Sequence, residues 1–405
     1  MLSPATIDTI KSTVPVLEKH GTDITKRFYE LLFSNHPELL NVFNHANQKQ
    51  GRQQAALAGA VYAAAQHIDN LEAIIPVVKM IGHKHRSLGI KAEHYPIVGR
   101  NLLAAIQDVL GLSATDPVVL AWGEAYGVIA DAFISVEADM YEQAEHQEGG
   151  WADFRPFRVE RKVKESNEIV SFYLVPLDGK PIATFVPGQY VSVKAEISGE
   201  PNVHIRQYSL SDAPGQSYYR ISVKRESGLS GRPDGKVSNY LHDSIEPGDV
   251  LPLSAPAGSF TLDGSDSRPV VLISGGVGLT PLVSMLRHSA QTNPGRPVAF
   301  IHAARNGDVH ALKEEVNRCA AANTAISAHW CYEQPTTQDK ERCEYDREGR
   351  IDLNWLQQIV PSKQASFYFC GPVPFMKAIN GALREWGVDE ADIHYEFFGP
   401  SGSLD

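Results

Sequence analysis

The stretch "IPVVKMIGHKHRSLGIKAEHYPIVGR", residues 75–100, places three histidines, His83, His85 and His94, within a dozen positions. A helix over 77–88 puts Val77, Ile81, His85 and Leu88 on one face, at spacings of four, four and three. That face is apolar, so the pattern predicts that His85 points into the core. His83, two positions away, projects roughly oppositely with Lys84 between them, and His94 precedes Tyr95-Pro96, outside this helix. A lone histidine on an apolar stripe is more often a satisfied core residue than a ligand, so the surrounding segments must decide.

Those segments follow three patterns. Residues 1–146 repeat apolar residues at three- and four-residue spacing, as in "TKRFYELLF", "QQAALAGAVYAAAQHI" and "GRNLLAAIQDVLG", which predicts an all-helical domain opened by Ser3 as N-cap and Pro4 in the first turn. A polar, glycine-containing linker at 147–151 follows. Residues 152–262 read as short β-branched and aromatic strands between Pro and Gly turns, "FRVERKVKE", "QYVSVKAEI" and "YYRISVKRE" among them, and predict an antiparallel barrel. In residues 268–405 the runs "PVVLISGG", "PVAFIHAA" and "ASFYFCGP" are continuously apolar and separated by helical stretches, as buried parallel strands of an α/β layer are.

Composition narrows the function classes. The 405 residues carry a net charge of -11 and no long basic run, which argues against nucleic acid and anionic membrane surfaces as partners. No apolar run approaches the roughly 20 residues of a membrane span, and the N-terminus lacks the pattern of an export signal. Cys319, Cys331, Cys343 and Cys370 show no CxxC spacing, so neither a zinc site nor an iron–sulfur cluster is expected, and four thiols suit a reducing cytoplasm.

The chemistry starts in the last segment. "VVLISGGVGLTPLVSML" sets Gly275, Gly276 and Gly278 between a buried strand and a helix, where glycine admits a pyrophosphate and the helix N-terminus offers free N–H groups. The run departs from the dinucleotide fingerprint, because Pro281 replaces a third glycine and no acid ends "FIHAARN". In the barrel, "RQYSL" (206–210) offers a cation, an aromatic plane and a hydroxyl. "PGQYVSV" adds Tyr190, and "GKVSNYL" adds a second helix start with Gly235, Val237, Ser238 and Leu241. In this order, residues 152–405 resemble the ferredoxin–NADP⁺ reductase family. The resemblance implies non-covalent FAD, with Arg206 on its pyrophosphate, Gln207 beside it, Tyr208 stacked on the flavin and Ser209 near its reactive nitrogen. It also implies NADH or NADPH held by Gly276, Val277, Gly278, Leu279, Thr280 and Pro281 with Cys370, Gly371 and Pro372. In "YEFFGP", Glu396, Phe397, Phe398, Gly399 and Pro400 would close over the flavin.

A reductase without an iron–sulfur cluster needs an electron acceptor, which returns attention to the helical domain. "NVFN" supplies Phe43, "QGRQQAALAGAVYAAA" supplies Gln53 and Leu57 at i and i+4, and "KRFYELLF" supplies Tyr29. Here the chain resembles the globins, and along its whole length the flavohaemoglobins. That resemblance implies haem b on His85, with Tyr29 and Gln53 as the distal polar pair, Leu57 as an apolar gate, and Tyr95 and Glu137 orienting the imidazole. Lys84 and Glu396 would tune the two cofactors. The implied reaction is nitric oxide dioxygenation: O₂ and NO become nitrate, with electrons from NAD(P)H through FAD, for nitrosative-stress detoxification. The residues alone reach only haem-bound O₂ re-reduced by NAD(P)H, so an oxygen carrier or sensor and a general peroxide, ferric or quinone reductase remain alternatives. Arg305 could accept a 2′-phosphate, whereas the resemblance favours NADH. Small residues in "AALAGAVYAAA", Ala56 and Ala60 among them, leave room for an apolar lipid-like ligand, or simply favour helix and close packing.

Overall fold

Ser3 Oγ accepts the Thr6 N–H at 3.1 Å and Pro4 opens the first turn, so helix α1 (Pro4–Ser12) begins where the cap pattern places it. The computed structural model describes residues 2–43, 48, 51–228, 233–399 and 404. Pro400 therefore lies outside the described residues. The chain divides into two compact units, one built on Met1–Phe154 with Lys194–Arg206, the other on Arg155–Val193 and Gln207–Phe398.

In the helical unit, α2 (Val14–Asn35), α3 (Arg52–Gln66), α4 (Ile75–Leu88), α5 (His94–Leu110) and α6 (Pro117–His146) follow α1. Ile10, Ile24, Phe28, Leu32, Leu102, Ile106 and Trp122 form its core. Gly21 on α2 lets α3 come close, since a Cβ there would stand 3.5 Å from Ala58 Cβ. Close packing therefore accounts for part of the small-residue run in α3. Against the expectation from apolar runs, the 30-residue α6 is long and apolar enough to span a membrane by length and composition alone. No single run shows this because Glu124, Asp131 and Glu137 interrupt it. Its Val119, Ala121, Trp122 and Ala125 are packed into the helical core. The 147–151 segment is an anchored turn: Gly150 N–H donates to Gln147 O at 2.8 Å, Trp151 N–H to Ala144 O at 3.1 Å, and the Trp151 ring is buried.

The barrel strands are β1 (Phe154–Lys164), β2 (Ile169–Pro176), β3 (Tyr190–Ala195), β4 (His204–Ser209), β5 (Tyr219–Lys224) and β6 (Val250–Ser254), in the order β4-β3-β6-β1-β2-β5. An antiparallel bridge from Leu210 to Ile221 brings the two edges of this sheet together and nearly closes it. Helix α7 (Lys236–Ser244) starts at Gly235. The third region runs β7 (Val270–Gly275), α8 (Leu279–Thr292), β8 (Val298–Ala304), α9 (Lys313–Ala322), β9 (Ile326–Tyr332), α10 (Thr337–Arg342), β10 (Arg347–Glu348), α11 (Leu353–Ile359), β11 (Ser366–Cys370), α12 (Val373–Trp386) and β12 (Ile393–Glu396). All its strand pairs are parallel, in the order β10-β9-β8-β7-β11-β12. Val270, Leu272 and Phe300 pack on one face against Leu282 and Leu286, while Val271, Ile273 and Phe369 pack on the other against Met376 and Leu383. Burial on both faces is why these strands read as unbroken apolar runs. The chain steps outward from β7 and then returns to β11 on its other side, so the strand order switches between β7 and β11, where α/β sheets bind ligands.

Candidate functional site

Within the helical unit, Nδ1 of His85 lies 2.7 Å from Glu137 Oε1 and 3.3 Å from the Tyr95 hydroxyl, which itself donates to Glu137 Oε1 at 2.7 Å. Glu137 is 3% exposed, so its carboxylate is held away from water between these two donors. Burial first, and then the adjacent carboxylate, push the Tyr95 phenol above its ordinary range and keep it a proton donor. With Nδ1 donating to a carboxylate, the imidazole presents its Nε2 lone pair outward. Three further α6 side chains complete this wall. The Phe133 ring lies 5.9 Å from His85, Tyr126 OH donates to Tyr95 O at 2.6 Å, and Tyr141 OH donates to Ile90 O at 2.6 Å. Sequence reasoning missed these three. They share one face with Glu137 at spacings of seven, four and four, which is the signal that could have found them.

The expected direction of the His85 stripe needs correction. The buried residues of α4 are Val78, Gly82, Arg86 and Ser87, one position round the helix, while Val77 is 45% exposed and Ile81, His85 and Leu88 are half-buried. Gly82 draws α6 close, since a Cβ there would meet Met140 Sδ at 3.2 Å, and that contact decides which face turns inward. The histidine face is thus an apolar surface with an imidazole in it rather than part of the packed core. His83 has a buried Nδ1 with no hydrogen-bond partner, and burial holds its pKa down to about 4, which marks a neutral structural residue.

Tyr29 is buried between Phe28, Phe33 and Phe43, with the Phe33 and Phe43 rings both 5.7 Å from its own. Burial raises its pKa, opposed in part by the neighbouring Gln53 and Gln48 side chains. The structure thus brings Gln53, with Gln48, near the Tyr29 phenol. Leu57 and Phe43 are partly buried against the same core. Lys84 is half-buried on α4.

On β4, Arg206, Gln207 and Tyr208 are half-buried and Ser209 is buried. Tyr190 pairs through its backbone with Ala257, and its ring faces Gly258, where a Cβ would lie 3.0 Å away. Ser238 Oγ donates to Gly235 O at 3.0 Å and accepts the Glu226 N–H at 3.1 Å, so that hydroxyl fixes the helix start, and Val237 beside it is buried.

The β7–α8 turn meets the end of β11. Gly276 has φ +53 with nothing within 4 Å of a notional Cβ, a left-handed position with open space before it, as a backbone approach to phosphate requires. Gly278 has a different cause: a Cβ there would collide with the Cys370 carbonyl. Leu279, Thr280 and Pro281 are buried in the first turn of α8, and Val277 packs on the core. The Cys370 thiol is fully buried, which pushes its pKa up, and donates to Glu396 O at 3.4 Å. Phe397 is partly buried, while Phe398 is 48% exposed beside Gly399. Arg305, at the end of β8, pairs with Glu168.

Residues 26–133 match the globin family, 156–262 the oxidoreductase FAD-binding domain, and 272–381 the oxidoreductase NAD-binding domain. A curated flavohemoprotein from Bacillus thuringiensis subsp. konkukian is 62% identical over 404 residues, covering 100% of both chains. The chain belongs to the flavohemoprotein family. The crystal structure of flavohemoglobin from Malassezia yamatoensis, with bound FAD and heme, superposes with a TM-score of 0.86 at 27% identity, covering 98% of this chain and 100% of that one. The FAD/NAD-binding domain of nitric oxide dioxygenase from Vibrio cholerae O1 biovar El Tor is 39% identical, with TM-score 0.56 over 61% of this chain and 100% of that one.

This flavohemoprotein is accordingly an oxidoreductase with a globin, an FAD-binding and an NAD-binding domain, and haem, FAD and NAD(P)H are its cofactors and electron source. Its residues fit a haem. The donor set offers one imidazole oriented by a buried carboxylate, on an apolar helix face. Among the described residues no cluster of three or more His, Cys, Asp or Glu side chains is arranged to hold a bare metal ion. A porphyrin iron needs only one such side chain from the protein.

Proposed function

We propose that this flavohemoprotein is a cytoplasmic nitric oxide dioxygenase, in which residues 1–146 hold haem b, 152–262 hold FAD and 268–405 bind NAD(P)H. The observation that carries the reading is the His85–Glu137–Tyr95 triad, because a carboxylate on Nδ1 makes the ligand more basic and suits oxygen activation over simple storage. When bound, haem supplies one-electron iron chemistry with O₂ and NO, and FAD converts a two-electron hydride donor to single electrons. In this reading His85 would hold the haem iron through Nε2, with Glu137 accepting its Nδ1–H and Tyr95 fixing the carboxylate. Tyr29, neutral because buried, would offer its hydroxyl with Gln53 on the distal side of the haem, while Leu57 and Phe43 would exclude water. Arg206 would face the FAD pyrophosphate, Tyr208 the flavin plane and Ser209 its reactive edge. Gly276 through Pro281 and Cys370-Gly371-Pro372 would seat the dinucleotide, Phe397 and Phe398 would cover the flavin with Glu396 a nearby charge, and Lys84 and Glu396 would tune the cofactors. The Arg305–Glu168 pair neutralises the obvious 2′-phosphate partner and favours NADH.

The name of the Vibrio cholerae relative supports the activity, and the unpaired state of all four cysteines supports the compartment. Each nitrate needs one electron, so aerobic NO consumption should yield two nitrates per NAD(P)H oxidised. NADH oxidation that ignores added NO would favour the carrier or general-reductase readings instead. An apolar ligand beside α3 belongs to the same reading, and a haem spectrum unmoved by fatty acid would remove it.

A further inference from the structure

A buried charge cluster that neither cofactor site uses lies between the flavin strand and the dinucleotide turn. Arg220 on β5 is 2% exposed and forks onto Glu315 of α9, with Nη1 to Oε2 at 2.6 Å and Nη2 to Oε1 at 2.9 Å. Its Nε donates to Ser211 Oγ at 3.1 Å and its Nη2 to the Ser211 carbonyl. Arg287 on α8 reaches the same Glu315 at 3.0 Å and Asp212 Oδ1 at 2.6 Å. Asp212 is 3% exposed, lies 3.8 Å from Arg220, and accepts the Tyr218 hydroxyl at 3.0 Å, while Ser284 of α8 donates to its carbonyl at 2.7 Å.

Position gives the cluster its meaning. Ser211 and Asp212 lie just past the end of β4, two and three residues after Ser209, and α8 begins at the dinucleotide turn. Two cations and two anions cancel, and the Glu315 carboxyl stays below its ordinary range because Arg220 and Arg287 outweigh its burial. Buried ion pairs seldom add stability over apolar packing of equal volume, whereas a forked Arg–carboxylate pair fixes direction and distance. We infer that Arg220, Glu315, Arg287 and Asp212 are positioning residues for hydride transfer, tying α8 and α9 to β5 and to the segment that follows the flavin strand β4. The inference rests on the reading that NADH reduces the bound FAD.

The test is anaerobic stopped-flow reduction of flavin in the full-length holoprotein by NADH and by 4-deuterated NADH. Wild-type flavin that NADH cannot reduce would sink the reading beneath the inference, and that control is separate from the variants. Glu315→Gln should lower the limiting rate by about 10–100-fold, the usual cost of misplacing reactants by about 1 Å. The apparent NADH affinity should move far less, and the isotope effect should grow. Without cofactors, amide exchange across residues 279–292 should speed up in the same variant. Arg287→Gln, at a partly exposed position, should slow reduction several-fold and decides the matter if Glu315→Gln does not fold. Arg220→Lys keeps the charge without the fork and should remain slow. Wild-type limiting rates in Arg287→Gln, or a rate in Glu315→Gln restored by added FAD alone, would overturn the assignment.

Discussion

The dinucleotide-binding region contains a buried pair of imidazoles, one on β8 and one in the connection that follows it, that should make it sensitive to acid. His302 on β8 is fully buried and accepts or donates to Ser274 Oγ at 2.7 Å through Nδ1, while its Nε2 has no hydrogen-bond partner. The His310 ring stacks 4.4 Å from it, bonds Tyr332 OH at 2.9 Å, and meets the Trp330 edge at 4.8 Å. Burial pushes His302 down to about 3 and His310 well below its ordinary value, with the neighbouring ring and Lys313 adding to the latter. Both imidazoles thus stay neutral in the folded protein, whereas the unfolded chain takes up their protons below about pH 6.5. Stability from this pair is fully present above that pH and is lost progressively as pH falls toward 3. Each histidine should cost about 0.8 kcal/mol at pH 6 and about 2 kcal/mol at pH 5, relative to pH 8. Because a chain of several domains need not unfold in one step, the measurement should be local. Amide exchange of residues 298–304, corrected for intrinsic rates, gives the opening free energy of β8. Wild type should lose about 4 kcal/mol between pH 8 and pH 5, and His302→Asn, which keeps a partner for Ser274, only about 2 kcal/mol. An equal loss in both proteins would mean that His302 is protonated when folded, and the argument from burial would fail.

Other perturbations test the sites directly. Glu137→Gln removes the negative charge from the oxygen that His85 and Tyr95 share, and should speed transfer of haem to an acceptor globin by about 10–100-fold. If haem release is unchanged, Glu137 does not orient the ligand. Gly278→Ala forces a Cβ against the Cys370 carbonyl and should destabilise the turn by about 1–3 kcal/mol. Its signature is a raised NADH concentration for half-maximal flavin reduction. Glu168→Gln releases Arg305 from its partner. The NADPH-to-NADH ratio of kcat/KM should then rise by about 1.4- to 5-fold, the range set by an exposed ion pair of about 0.2–1 kcal/mol.

How far the sequence could be read depends on the distance over which each feature is encoded. Helix periodicity and the Ser3 cap are local, and they appear where expected. Strands β7, β8 and β11 announced themselves because burial on two faces leaves little but apolar residues. Strands β6, β9 and β12 did not: "VLPLS" holds a proline, "ISAHWCY" alternates only loosely, and β12 is a four-residue edge. His85 could be proposed from its stripe, but the face it occupies was misjudged, because Gly82 against Met140 decides which side of α4 turns inward. Glu137 is 52 positions from His85, and Glu315 is 95 from Arg220, separations at which no periodicity operates.

Gly276 and Gly278 show why a motif match alone leaves its cause undecided. Both stand in one glycine turn and both invite the same reading, close approach to a pyrophosphate. Only Gly276 has the left-handed φ and the open space that this reading needs, whereas Gly278 is held to glycine by the carbonyl of Cys370 on the neighbouring strand. The two glycines therefore act on different links of the same chain. One leaves room for the ligand, and the other sets how closely β11, with Cys370-Gly371-Pro372 at its end, can approach the start of α8. A substitution at Gly278 should consequently disturb the dinucleotide site through strand packing, and so disturb stability and affinity together. At Gly276 the backbone must leave its left-handed conformation, and the loss should fall chiefly on NADH affinity.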